Sequence, residues 1–187
     1  MDLVSAYLLG TSLVLFVLLI GAVIVVFNGL VSLRNEIRRS WSNIDVLLKQ
    51  RFDEIPRLVE VCKGYIKHER EVLELIVKAR TRVSEAREIP TQTRAEDGLT
   101  DAIHQLFLVV EKYPDLKAND SFLKLQHRIT ELENHIADRR EFYNQCVTAY
   151  NTRRESFPDL LIANGFRFEK AEWWRVNNAR ERLNPIV

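Results

Sequence analysis

The chain has 187 residues, 47% of them hydrophobic, and a formal charge of +1 from 27 basic and 26 acidic residues mixed along its length. With an apolar N-terminal stretch of 27 residues set aside, 160 remain, enough for one domain with a real core and too few for two comfortable ones. No basic stripe of the kind that tracks phosphates is visible, so nucleic acid is not an expected partner, and six glycines with five prolines are too few for a long β protein.

Tyr7 to Phe27 carries no charge over 21 residues, which at helical rise span about 31 Å, the thickness of a hydrocarbon core. Fifteen Leu, Ile, Val or Phe lie between Leu8 and Phe27. At about −0.4 kcal/mol each, insertion gains on the order of 6 kcal/mol. A cleaved signal peptide fits poorly, because Asp2 and no basic residue precedes the run and no A-x-A site follows it. Arg34, Arg38 and Arg39 follow the span, with Lys49 and Arg51 beyond, so the expected topology is a single pass of the inner membrane, N-terminus outside and the rest cytoplasmic. Ala6 and Gly10 form one small-xxx-small pair that would support helix association in lipid.

Leu30, Leu33, Ile37, Trp41, Ile44, Leu48, Phe52, Ile55, Val59, Cys62 and Ile66 form ten steps over 36 residues, or 3.6 per step, the period of one helical stripe. The stripe keeps phase across Pro56, which predicts a kinked helix there and not a loop. It weakens at His68-Glu69-Arg70, resumes at Val72 and Leu73, and is expected to end near Arg87, before Ile89-Pro90. Thr91 to Ala95 reads as a loop and Glu96 to Lys112 as a helix with Leu99, Ile103, Leu106 and Val110 inward. After Tyr113-Pro114, Asn119-Asp120-Ser121 offers caps for a helix carrying Phe122, Leu125, Ile129, Leu132, Ile136, Tyr143, Val147 and Tyr150, interrupted at Arg139-Arg140 and closed by Phe157-Pro158. A short helix over about Asp159 to Ala163 leads to an Asn164-Gly165 turn and an aromatic tail with Phe166, Phe168, Trp173 and Trp174.

Asn28 to Asn35, Trp41 to Pro56, Val59 to Tyr65 and His68-Glu69 resemble the LemA family of bacterial membrane proteins. Arg139-Arg140 before Tyr143-Asn144, then Tyr150-Asn151 and Phe157-Pro158, are similar as well, as is Leu161 to Phe168 followed by Ala171-Glu172 and two aromatics. The resemblance implies an N-terminal anchor, a cytoplasmic helical bundle and no settled biochemical activity. The chain departs from the family pattern at Arg167, which stands where Phe-Gly-Phe is usual, at Gly165, usually apolar, and at Cys62, usually valine or threonine.

His127, Glu131 and His135 stand at i, i+4 and i+8 and read either as a metal-binding face or as a solvated helix face. The nearest approach to a di-iron Glu-x-x-His pair is Asp101-x-x-His104. Asp45, Arg51 and Asp53 flank the first stripe, and Asn144 and Asn151 flank that beginning at Phe122; such polar groups at a helix seam set register or, alternatively, bind a ligand or partner. No nucleophile turn or glycine-rich phosphate loop is present, so no catalytic, cofactor or metal residue is assigned. Cys62 and Cys146 fall on apolar stripes without metal spacing, as buried reduced thiols do. Trp173 and Trp174 pack on the bundle, rest at the lipid interface or dock a partner.

The expected architecture is all-α: a transmembrane segment over 1–27 followed at 28–187 by an antiparallel bundle with a long, Pro-kinked first helix. The expected function is a non-enzymatic, self-assembling membrane scaffold or adaptor, with Trp41, Ile44 and Leu48 touching neighbouring subunits. The alternative is a metal- or small-molecule-binding sensor or enzyme built on the polar face of the helix that begins near Ser121.

Overall fold

A computed structural model describes residues 3–66 and 69–174. His68, which contributes to the family resemblance, lies outside them, as do residues 175–187. The described residues form six helices and no strand: α1 (Leu3–Lys63), α2 (Arg70–Glu85), α3 (Ile89–Val110), α4 (Pro114–Lys117), α5 (Asp120–Glu155) and α6 (Asp159–Gly165).

The apolar stretch and the first stripe are one helix. α1 runs for 61 residues with Pro56 inside it. Its most apolar 18-residue window has a mean hydropathy of 2.9 with 6% of it buried, which makes α1 long and apolar enough to cross a membrane and sets it apart from a buried core helix. From Leu30 onward it buries Leu30, Ile44, Leu48, Ile55, Leu58, Val59 and Cys62. Because Ile44 and Leu48 are used inside the chain, they are not exposed for contacts between subunits.

Three boundaries differ from the periodicity reading. α1 ends at Lys63, where Tyr65 and Ile66 donate their amides to the Cys62 carbonyl, instead of running on towards Arg87. Gly64, of low helix propensity, follows at once, and Ile66 is buried in the core just beyond the end of the helix. The loop expected at Thr91 to Ala95 is helical, because α3 starts at Ile89 and takes Pro90 into its first turn. Proline is tolerated there since first-turn amides have no intrahelical acceptor. The segment after Tyr113 forms the short α4. The cap expected near Asn119 is present: Asn119 Oδ1 accepts the amides of Ser121 and Phe122 at 2.9 and 3.0 Å, an N-cap for α5.

Two compact units emerge, each containing part of α1 and part of α5. One holds residues up to Ser40 with Asn144–Glu172; the other holds Trp41–Tyr143 with Trp173 and Trp174. The second unit has a core of Ile55, Leu58 and Cys62 from α1, Ile76 from α2, Leu99, Ile103 and Leu106 from α3, Leu116 from α4, and Phe122 and Ile129 from α5. The first has a smaller core of Leu30, Tyr150, Ala163 and Phe168. Gly29 matters there: a Cβ at that position would stand 2.5 Å from the Arg153 guanidinium, which Asp159 holds at 2.6 Å.

α6 ends in a Schellman turn: Phe168 N donates to Ala163 O at 2.9 Å and Arg167 N to Asn164 O at 3.3 Å. The residue at the left-handed position is Arg167, with φ 56°. A side chain there costs on the order of 1 kcal/mol relative to glycine. The tight turn therefore forms although the chain lacks glycine at that point.

Both cysteines are free and buried. Burial pushes the Cys62 thiol up to about 12 and raises that of Cys146 as well. At pH 8 the Cys62 thiolate fraction is thus on the order of 10⁻⁴, so its alkylation by iodoacetamide in the folded chain is expected to run at least about a thousandfold slower than in denaturant. Mass spectrometry of the alkylated chain checks this; comparable rates in both states would mean that Cys62 is not in the core.

Candidate functional site

The stripes that build the second unit carry charges in phase with their apolar residues. On α1 the buried series runs Leu48, Arg51, Ile55, Leu58, Cys62; on α3 it runs Glu96, Leu99, Ile103, Leu106, Val110. On α5, Arg140 falls between Ile136 and Tyr143 in the same rhythm. Because these positions face inward, the charges meet inside.

Arg51 is 1% exposed. Its Nη1 donates to Thr100 Oγ1 at 2.7 Å and lies 3.6 Å from Glu133 Oε1, while its Nη2 is bonded to the Glu96 carboxylate. The other Glu133 oxygen is 3.3 Å from His104 Nε2. One turn of α3 away from Thr100, Asp97 is paired with Arg140 at 3.3 Å. The Arg140 guanidinium lies 4.3 Å from the ring centroid of Trp174, which is itself 5.3 Å from Trp41. Tyr143 meets Trp41 edge-on at 5.5 Å.

Burial raises the Glu96 carboxyl above its ordinary value, against the opposing pull of Arg51 and Arg140. Burial likewise lowers Arg140, against the pull of Asp97. Two cations therefore face three carboxylates where desolvation is costly, and each charge is tolerable only while its partners stay in place. This makes the cluster a lock on which faces of α1, α3 and α5 meet. Arg51 and Glu96 are fully buried, Glu133 and Arg140 are half-buried, and His104 reaches the surface; the cleft of about 710 Å³ on the same unit is lined by Val59, Lys63, Ile66, Arg70, Leu73 and their neighbours.

The residues singled out in the sequence divide sharply. Of Asp45, Arg51 and Asp53, only Arg51 enters the cluster; Asp45 is exposed and Asp53 pairs at the surface with Lys49 at 3.5 Å. Asn144 is half-buried, and Asn151 is buried and holds the tail, donating Nδ2 to Ala171 O and accepting the Ala171 amide, both at 2.9 Å. Tyr150 Oη donates to Glu169 O at 2.8 Å and Arg154 Nε to Phe168 O at 2.7 Å, so α5 side chains supply the hydrogen bonds that the irregular tail cannot make within itself. His127, Glu131 and His135 are exposed, with His127 Nδ1 at 3.5 Å from Glu131; His104 turns to Glu133 and not to Asp101. Among the described residues, no group of three His, Cys, Asp or Glu side chains is placed to hold a metal ion. Trp174 is buried and Trp173 half-buried. Glu96, Asp97, Glu133 and Arg140 were not singled out as candidates, although the in-phase position of Glu96 and Arg140 on apolar stripes is a signal that could have found them.

The magnetosome proteins MamQ 2 and MamQ 1 of Paramagnetospirillum magneticum are each 31% identical to this chain over 93 residues, half of this chain and 34% of theirs. The chain thus spans about a third of the length of those relatives. Protein LemA of Metamycoplasma hominis is 28% identical over 156 residues, covering 79% of this chain and 70% of that protein. The model of the LemA family matches residues 40–187, the stretch that contains the buried charges of α1, α3 and α5, and the chain therefore belongs to the LemA family.

Proposed function

We propose that this protein is a membrane-anchored helical scaffold or adaptor without catalytic activity, crossing the inner membrane once with its N-terminus outside and residues 28–187 in the cytoplasm. The observation that carries this reading is α1: one uninterrupted helix that begins as an exposed apolar segment and continues as a core element of the folded part. The helices fold as an antiparallel bundle, and Pro56 bends α1 where it lacks an amide to donate. The buried charges of Arg51, Glu96 and their partners serve helix register. A reporter fused after Val187 is expected to be active only in its cytoplasmic form; activity only on the outer side would reverse the topology.

The scaffold is a homo-oligomer, and its contacts lie along the membrane span, where Leu13, Val14, Val17 and Leu18 are exposed on the single chain. Tethering side by side raises local concentration, so modest apolar surfaces suffice. Single cysteines replacing Val14 or Leu18 are expected to yield crosslinked dimers in the membrane, and an absence of crosslinks along the whole span would remove the physical basis for self-assembly.

A further inference from the structure

A second group of cations lies in the other compact unit. Arg34 and Arg38 stand one turn apart on the same face of α1, and Arg167 sits in the turn after α6. With Tyr150 and Glu169 they line an open cleft of about 390 Å³. The nearby Arg153 and Arg154 pair with Asp159 and Glu155, whereas among the described residues no carboxylate is within ion-pair distance of the three cleft arginines. Three positive charges thus face one glutamate.

The cleft borders the end of the apolar segment. Phe27, the last residue of that segment, meets Phe166 edge-on at 4.9 Å and Phe168 at 5.6 Å, and the Arg34 guanidinium lies 5.2 Å from the Phe168 ring centroid. Phe157, Leu161 and Phe166, in and beside α6, are exposed. Arg167 keeps its charge in a left-handed backbone position where glycine is more comfortable.

We propose that this cleft seats the phosphate headgroup of an anionic phospholipid in the leaflet from which α1 emerges, with the apolar edge of α6 resting against the acyl boundary. The proposal rests on α1 being a membrane span. The Arg34 Cα stands about 10 Å beyond Phe27 along the helix. Helical side chains lean back towards the N-terminus, here towards the bilayer, so its guanidinium falls in the headgroup layer of about 5–7 Å per leaflet. Guanidinium groups bind phosphate oxygens in pairs, and exposed phenylalanine and leucine beside them match an interfacial surface.

The test uses the full chain purified in a neutral detergent and offered phosphatidylglycerol, phosphatidylcholine or inorganic phosphate, with retained lipid read by native mass spectrometry. Phosphatidylglycerol is expected to be retained in preference to phosphatidylcholine, and Arg34→Gln, Arg38→Gln and Arg167→Gly are each expected to lower that retention about fivefold. Arg167→Gly is the cleanest variant, because it relieves the left-handed position and is expected to melt no lower than the parent. Equal retention of the two lipids, or undiminished phosphatidylglycerol on the triple variant, would overturn the proposal. Displacement of phosphatidylglycerol by millimolar inorganic phosphate would also overturn it, by assigning the cleft to a soluble anion. Carbonate washing of cell membranes separates the two levels: a chain released by the wash overturns the anchor itself, whereas an embedded chain without headgroup selectivity overturns only the cleft's role.

Discussion

Replacing Arg51 with alanine is expected to lower the unfolding free energy by about 3–5 kcal/mol, among the largest losses available to a single substitution here. The reason is what remains behind. Glu96 and Glu133 keep their carboxylates in the interior without the guanidinium that joins them, and Thr100 loses its donor. For a chain of this size the melting midpoint followed by circular dichroism should fall by roughly 6–20 °C. Arg51→Lys should recover only part of this, since an ammonium cannot serve three acceptors in a planar fork. The double variant Arg51→Met, Glu96→Leu should be far less damaged than either single loss implies, because it removes the unpaired charge along with the pair. A loss below about 1 kcal/mol for Arg51→Ala would mean that the cluster does not lock the helices.

The same site has a definite pH dependence. Burial raises the folded-state pKa of Glu96, so the folded chain binds this proton more tightly than the unfolded one. The stabilisation from this group is complete below the ordinary carboxylate value and is lost as pH rises through the raised folded value. Glu96→Gln, which is neutral at every pH, should remove that slope. By the same sign, the damage from Arg51→Ala should be greatest at neutral pH and shrink as the solution is acidified and Glu96 takes up its proton.

Trp174→Ala is the second large effect, with an expected cost of about 3–5 kcal/mol. Trp174 is 1% exposed and its ring lies over the Arg140 guanidinium and beside Trp41. Arg140 Nε and Nη2 are buried and make no hydrogen bond among the described residues, so the ring face is the favourable surface they meet. Trp174→Phe retains an aromatic face and should lose less than half as much. Thermal melts of the two variants, with limited proteolysis between α6 and the tail, check both the magnitude and the order. Equal melting of parent and Trp174→Ala would leave the tail as a surface appendage.

The amino-acid sequence by itself determined the class of the protein. An uncharged apolar run long enough for a bilayer, a 3.6-residue rhythm from Leu30 onward and scarce turn residues leave only helices, because backbone geometry and burial admit no other reading of those patterns. It also made legible the Asn119 cap and the inward positions of α3 and α5, which depend on local spacing alone. Tertiary structure decided what local pattern leaves open. Whether Ile89-Pro90 stops a helix or starts one depends on what the following turn packs against, and here Thr93 and Glu96 bury themselves in α3. Whether Arg51 or its neighbour Phe52 faces inward is a difference of one position on the helix, and it was settled by Glu96, which is distant in sequence and supplies the countercharge, while Arg80 covers Phe52 at 3.9 Å outside. Trp174 was ambiguous in the sequence because its charged tail has no period; Arg140 and Trp41, brought together from α5 and α1, give it a buried place. A buried charge is stable only beside its partner, and the partner's position is a property of the fold.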